Sequence, residues 1–142
     1  MRTMKSIILL SATIIVLSCT KAFIAYGGVV TATGGTITEV GAYRIHTFTN
    51  LGTTNFNVSD GSLDCEILIV AGGGSGGLNG GGGGGAGGVI ITNMIVSGSK
   101  TVTVGAGGPR WTWIVPGPIT GSNGLNSAFD TVIAYGGGRG GV

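Results

Sequence analysis

Charge is what this sequence has least of. Five acidic and seven basic residues make up 8% of 142, against roughly 25% in ordinary globular proteins. Two of the basic residues, Arg2 and Lys5, stand at the extreme N-terminus. The other five (Lys21, Arg44, Lys100, Arg110 and Arg139) balance Glu39, Asp60, Asp64, Glu66 and Asp130. No basic patch remains, so the charge pattern argues against nucleic acid as a partner. Near-zero charge on a glycine-rich surface instead favours self-association. Histidine is nearly absent too: His46 is alone, and two cysteines cannot complete a zinc site with it. The chain has no Ser-centred nucleophile elbow, and its only close carboxylates, Asp64 and Glu66, alternate onto an exposed strand face. These scarcities point to a non-enzymatic protein without metal or cofactor. Three prolines, and no strict third-residue glycine period, exclude collagen.

Glycine fills the gap. The chain has 32 glycines, about three times the usual share of roughly 7%. The rest is rich in Val, Ile and Thr, too apolar for a disordered polar linker. The run "GGTITEVGAYRIHTFT" reads as two strands around Gly41, the second with Tyr43, Ile45, Thr47 and Thr49 alternating with Arg44, His46 and Phe48. Asp60-Gly61 reads as a tight turn, because both residues tolerate positive φ. Leu63, Cys65, Ile67 and Ile69 share one face of the next strand, while Leu68 and Val70 close its other face, so that it ends buried on both sides. Further strands are expected at Val89–Ile91, Met94–Val96 and Lys100–Val104, and a last one from Ser127 to Tyr135. The stretch from Pro109 to Asn126, with all three prolines and both tryptophans, reads as a loop. No helical period follows residue 22, so the expected class is all-β: a jelly-roll-like β-sandwich with long glycine-rich loops.

The stretch "EILIVAGGGSGGLNGGGGGGAGGVII" contains a G-x-G-x-x-G at Gly72, Gly74 and Gly77. A dinucleotide site needs a helix behind that turn and an acidic residue about 20 positions on. Neither is present: glycine opposes a helix, and no Asp or Glu occurs between Gly77 and Lys100. Ordered glycine segments can instead pack as extended threefold helices of the polyproline II type, where no Cβ holds neighbours apart. Their buried amides would then need partners in adjoining segments.

The N-terminus reads as an export signal helix. Arg2 and Lys5 precede the apolar run Ile7–Leu17, inside the signal-peptide window of about 7–15 residues and short of the ~20 needed to cross a bilayer. Val16-Leu17-Ser18-Cys19 resembles a bacterial lipobox, which makes Cys19 a lipidation site and residues 1–18 the signal; ordinary cleavage after Ala22 would make it 1–22. Residues 19–32 read as a linker and 33–142 as the glycine-rich β domain. The chain ends inside a glycine run, which reads as a truncation. With Cys19 lipidated or removed, Cys65 has no partner and reads as a small buried hydrophobe.

The run "YRIHTFTNLGTTNFNV…LIVAGGGSGG…GGGGGAGGVI…KTVTVGAGG…NGLNSAFDTVIAYGGGRGG" resembles a glycine-rich domain found in phage tail fibres and bacterial surface proteins. The resemblance runs from about Thr33 to the end. It implies a β-rich domain within an adhesive or receptor-binding protein and transfers no catalytic residues. Pro109–Pro118 departs from it, being aromatic where the family has Gly, Asn and Ser. Trp111 and Trp113 there point the same way if extended, which suits stacking on a sugar or anchoring a partner. They can equally cap the end of the sandwich. Gly72, Gly73, Gly74, Gly80, Gly81, Gly82, Gly83, Gly84, Gly85, Gly136, Gly137 and Gly138 are expected to form one glycine-rich face. The functional expectation is an exported cell-surface protein serving adhesion or assembly through a glycan or protein receptor, touching the membrane only at its N-terminus. A phage-type receptor-binding module and a matrix or fibril component joined through its glycine tracts are the alternatives.

Overall fold

A computed structural model of the chain describes residues 15–20, 24–25, 28–77, 81–110, 112–114, 117–119 and 121–141. Among them the secondary structure is all β, with no helix. The frame is one long hairpin, β7 (Gly52–Val70) and β8 (Val89–Val104), paired antiparallel from Val70 opposite Val89 to Gly52 opposite Val104. The first half of β7 pairs with β4 (Thr31–Thr33), and β8 carries β11 (Ser127–Phe129), which pairs in turn with β12 (Val132–Ala134). The second half of β7 pairs with β1 (Ile15–Thr20), then β6 (Tyr43–Phe48), then β5 (Thr36–Val40). Two short ribbons stand apart: β2 (Ile24–Ala25) with β3 (Gly28–Val29), and β9 (Thr112–Ile114) with β10 (Gly117–Ile119).

The hairpin is irregular at one place. Val58 faces Gly98 and Ser62 faces Ser97, so residues 59–61 face nothing on β8. Asp60 (φ 59), Gly61 (φ 156) and Gly98 (φ 65) supply the backbone for it. Asp60-Gly61 therefore makes a bulge inside one strand, where a turn between two was expected. The three extra residues solve a parity problem. Phe56 and Val58 are buried at even positions, and Leu63, Cys65, Ile67 and Ile69 at odd ones. An odd insertion returns the apolar set to the core side, because side chains alternate with period two. Val104 and Val70 lie at opposite ends of the ladder, yet the segments that follow them touch each other. The hairpin therefore folds back on itself at the bulge and Gly98.

The core sits inside that fold. Phe56 is fully buried, with its ring 5.0 Å from His46 of β6 and 6.0 Å from Phe129 of β11. Ile15 and Leu17 of β1 pack there as well, along with Val96, Val102 and Val104 of β8. Each buried side chain of this size contributes about 1.5–3 kcal/mol. Other expectations change in detail. Leu68 and Val70 are half-buried, because their β8 neighbours Ile91 and Val89 are exposed. The expected strands of 89–104 join into one. The last expected strand is a hairpin, turned at Asp130 (φ 52), whose amide donates to the Thr101 carbonyl and whose carboxylate takes Lys100 Nζ at 2.9 Å. Part of the expected loop at 109–126 forms the β9–β10 ribbon, in keeping with the strand preference of its β-branched and aromatic residues.

Candidate functional site

Five extended segments gather at one end of this fold. Residues 71–77 leave β7, 81–88 enter β8, 105–110 leave β8, 121–126 enter β11 and 135–141 leave β12. The fold-back explains the meeting, because it brings the end of β8 beside the end of β7. Residues 71–77 run through the middle. The amides of Ala71, Gly74 and Gly77 donate to the carbonyls of Gly88, Gly85 and Gly82 at 2.8–3.0 Å. Those of Gly72 and Ser75 donate to Leu125 and Ser122 at 3.0 and 3.1 Å. The Gly73 carbonyl accepts from Gly108, while the Gly72 and Ser75 carbonyls accept from Gly137 and Gly140. The outer segments also bond to one another: Gly82, Gly85 and Gly88 donate to Gly141, Gly138 and Tyr135, Gly124 to Gly137, and Leu125 to Ala106.

The contacts recur every three residues. So does the intolerance of side chains. At Gly74 and Gly77, Gly84 and Gly87, Gly105 and Gly108, and Gly137 and Gly140, a Cβ would collide with a backbone carbonyl of a neighbouring segment. At Gly121 it would collide with the Ser75 side chain, and at Gly124 with the Gly72 carbonyl. The backbones are thus closer than any residue but glycine allows. Buried amides are satisfied across segments, as they must be away from water. A few side chains stand in for backbone groups. Ser75, itself buried, donates to the Ser122 carbonyl at 3.2 Å. Asn126 Oδ1 accepts from the Gly136 amide at 2.9 Å, Asn123 Oδ1 from Arg139 at 2.8 Å, and Ser127 Oγ from Gly105 at 3.0 Å.

Gly72–Gly74, Gly81–Gly85 and Gly136–Gly138 all lie in these segments, with Gly72 and Gly137 buried among them; Gly80 lies outside the described residues. Residues 121–126 and the four polar side chains were not foreseen as part of this arrangement. The signal was present in the three-residue spacing of Gly121 and Gly124, masked by the surrounding Ser, Asn and Leu. The G-x-G-x-x-G amides at Gly72, Gly74 and Gly77 are already bonded to carbonyls, and no helix follows them, so this is no phosphate turn.

The other singled-out residues lie elsewhere. Trp111 is outside the described residues; the backbone of Trp113 pairs with Pro118 in the β9–β10 ribbon. Residues 1–14 of the expected signal also lie outside them, whereas Ile15–Thr20 form β1. Cys65 is fully buried but is not the unpaired thiol expected. It is disulfide-bonded, and the residue opposite it in the β1–β7 ladder is Cys19. His46 is core: Nδ1 bonds to the Gly34 carbonyl at 2.8 Å, and Nε2 is buried with no hydrogen-bond partner among the described residues. Burial holds its pKa below the usual 6.5; the Gly34 bond opposes that shift and Arg44 adds to it.

Comparison with known proteins agrees with the glycine pattern. A family model described as a glycine-rich domain matches residues 47–142. That span takes in β7, β8, β11, β12 and all five extended segments. Neither the curated proteins nor the solved structures contain a match.

Proposed function

Since the chain belongs to the glycine-rich domain family, we propose that it is an exported, non-enzymatic β-sandwich of jelly-roll type that presents a polyglycine bundle at a cell surface. The five segments are read as polyglycine II helices, with about 3.1 Å rise per residue. The observation that carries the reading is their three-residue bonding pattern at one end of the fold. A surface made of backbone is rigid, neutral and rich in exposed carbonyls and amides, which suits adhesion to a glycan or a protein. Trp111 and Trp113 supply the aromatic part of that contact. On this reading residues 1–18 are a signal and Cys19 carries the lipid, or cleavage follows Ala22; either cut takes Ile15 and Leu17 of β1 out of the core described above.

Lipidation of Cys19 would leave Cys65, which is disulfide-bonded, with no cysteine to pair with, since the sequence has only two. Labelling with radioactive palmitate, repeated with C19S, tests for lipidation: label on the wild type alone supports the anchor, and equal label on both refutes it. The adhesive role is tested by glycan-array and cell binding of the purified chain and of a W111A/W113A variant with an unchanged melting curve. Equal binding by the two would remove the tryptophans from the account. The open side of the bundle, described next, favours a second reading, an assembly component.

A further inference from the structure

The central segment is a rod with three rows of amides. One row, at Ala71, Gly74 and Gly77, is bonded to residues 82–88, and a second, at Gly72 and Ser75, to residues 121–126. The third row, at Gly73 and Gly76, has no partner among the described residues. Both glycines are exposed. The four surrounding segments explain why. Hydrogen bonds link 105–108 to 121–126, 121–126 to 135–141, and 135–141 to 81–88. No bond joins 81–88 back to 105–108. Among the described residues the ring of neighbours is open on one side, and the gap lies over Gly73 and Gly76.

We infer that this open groove is an acceptor for one more extended glycine segment, and that the segment is residues 81–86 of a second copy of this chain. The inference deepens the polyglycine reading above and does not depend on the cell-surface role. The chemistry of the groove selects the occupant. Its floor is backbone, and its wall at Gly107 carries no Cβ. The Gly73 and Gly76 amides call for carbonyls three residues apart, about 9 Å at polyproline II rise. Segments inside the bundle meet that spacing only with glycine at every close approach, as at Gly121 and Gly124 of 121–126, so a strand without glycine at every third position does not fit. This chain supplies the matching rod itself. Residues 81–86 are all exposed, and a Cβ at Gly83 would meet nothing within 4 Å. Residues 71–88 contain no charged residue, so no repulsion opposes the approach.

The groove can be filled without disturbing the fold. A Cβ at Gly76 would meet only the Gly82 carbonyl at 3.9 Å, and one at Gly73 only Gly85 and Gly87 backbone at 3.6 and 4.0 Å. Gly138, on the outer side of the ring, has equally open space and serves as control. Sedimentation velocity of the full chain over a wide concentration range is the experiment. Wild type should show concentration-dependent association, weakened at least about tenfold in G76V and unchanged in G138V. A synthetic peptide of residues 81–88 should compete. If G76V lowers the melting point, G73V carries the same test. A wild type that stays monomeric throughout, or association equal in wild type and the groove variants, overturns the inference. If the chain associates in this way but binds no cell or glycan, the adhesive role fails and the groove stands.

Discussion

Two glycine-to-alanine substitutions within the bundle should move stability in opposite directions. Gly83 and Gly124 both belong to the bundle and have similar backbone freedom in the unfolded chain. Replacing either with alanine removes unfolded-state entropy, worth about 0.4–1 kcal/mol in favour of the fold. At Gly83 nothing opposes that gain, because a Cβ there meets no atom within 4 Å. At Gly124 the Cβ would fall on the Gly72 carbonyl, with the Gly73 carbonyl at 2.7 Å. Forcing the segments apart costs about 1–3 kcal/mol as overpacking. The Gly72 carbonyl also accepts from Gly137 at 2.8 Å, and losing that bond costs about 1 kcal/mol more. G124A should therefore be destabilised by about 1–3 kcal/mol net, and G83A stabilised by about 0.4–1 kcal/mol. Urea unfolding followed by circular dichroism reads both, with the m-value confirming that the same surface is exposed. Equal shifts of the same sign would refute the reasoning, since they would mean that position within the bundle is irrelevant.

Two further outcomes follow from the core. His46 has its pKa lowered on folding, chiefly by burial, so the folded state prefers it neutral. Stability should be full above about pH 6.5, fall as pH drops below that value while only the unfolded chain protonates, and level off below the folded pKa. H46Q should flatten that part of a stability-against-pH curve; a wild-type curve already flat there would contradict it. Cys65 is disulfide-bonded and fully buried. C65S should lose about 2–4 kcal/mol, and thiol titration of unfolded wild-type chain without reductant should find no free cysteine. Two titratable thiols would contradict the pairing.

The strands were legible where the apolar period was clean. Leu63, Cys65, Ile67 and Ile69 fall on one face as their spacing requires, and Gly41 joins β5 to β6. The bulge was not legible, because Asp60-Gly61 has the same backbone signature whether it reverses a chain or bends a strand. Only the partner Gly98, distant in sequence, decides between them. Glycine composition pointed to the segments around Gly72–Gly74, Gly80–Gly85 and Gly136–Gly138, but not to residues 121–126. Residues 121–126 carry two glycines at the right spacing amid side chains that point outward or supply hydrogen bonds. That Cys65 is no lone thiol was not legible, because only the β1–β7 ladder, between segments distant in sequence, places residue 19 opposite it.

Amide hydrogen exchange, resolved residue by residue by NMR at low protein concentration, tests the bundle most directly. A backbone bonded every third residue should show protection with that period. Gly72, Gly74, Ser75, Gly85 and Gly124 should exchange slowly, while Gly73 and Gly76 in the same segment exchange fast. Uniformly fast exchange from residue 71 to 88 would contradict the account, because the glycine segments would then be mobile chain.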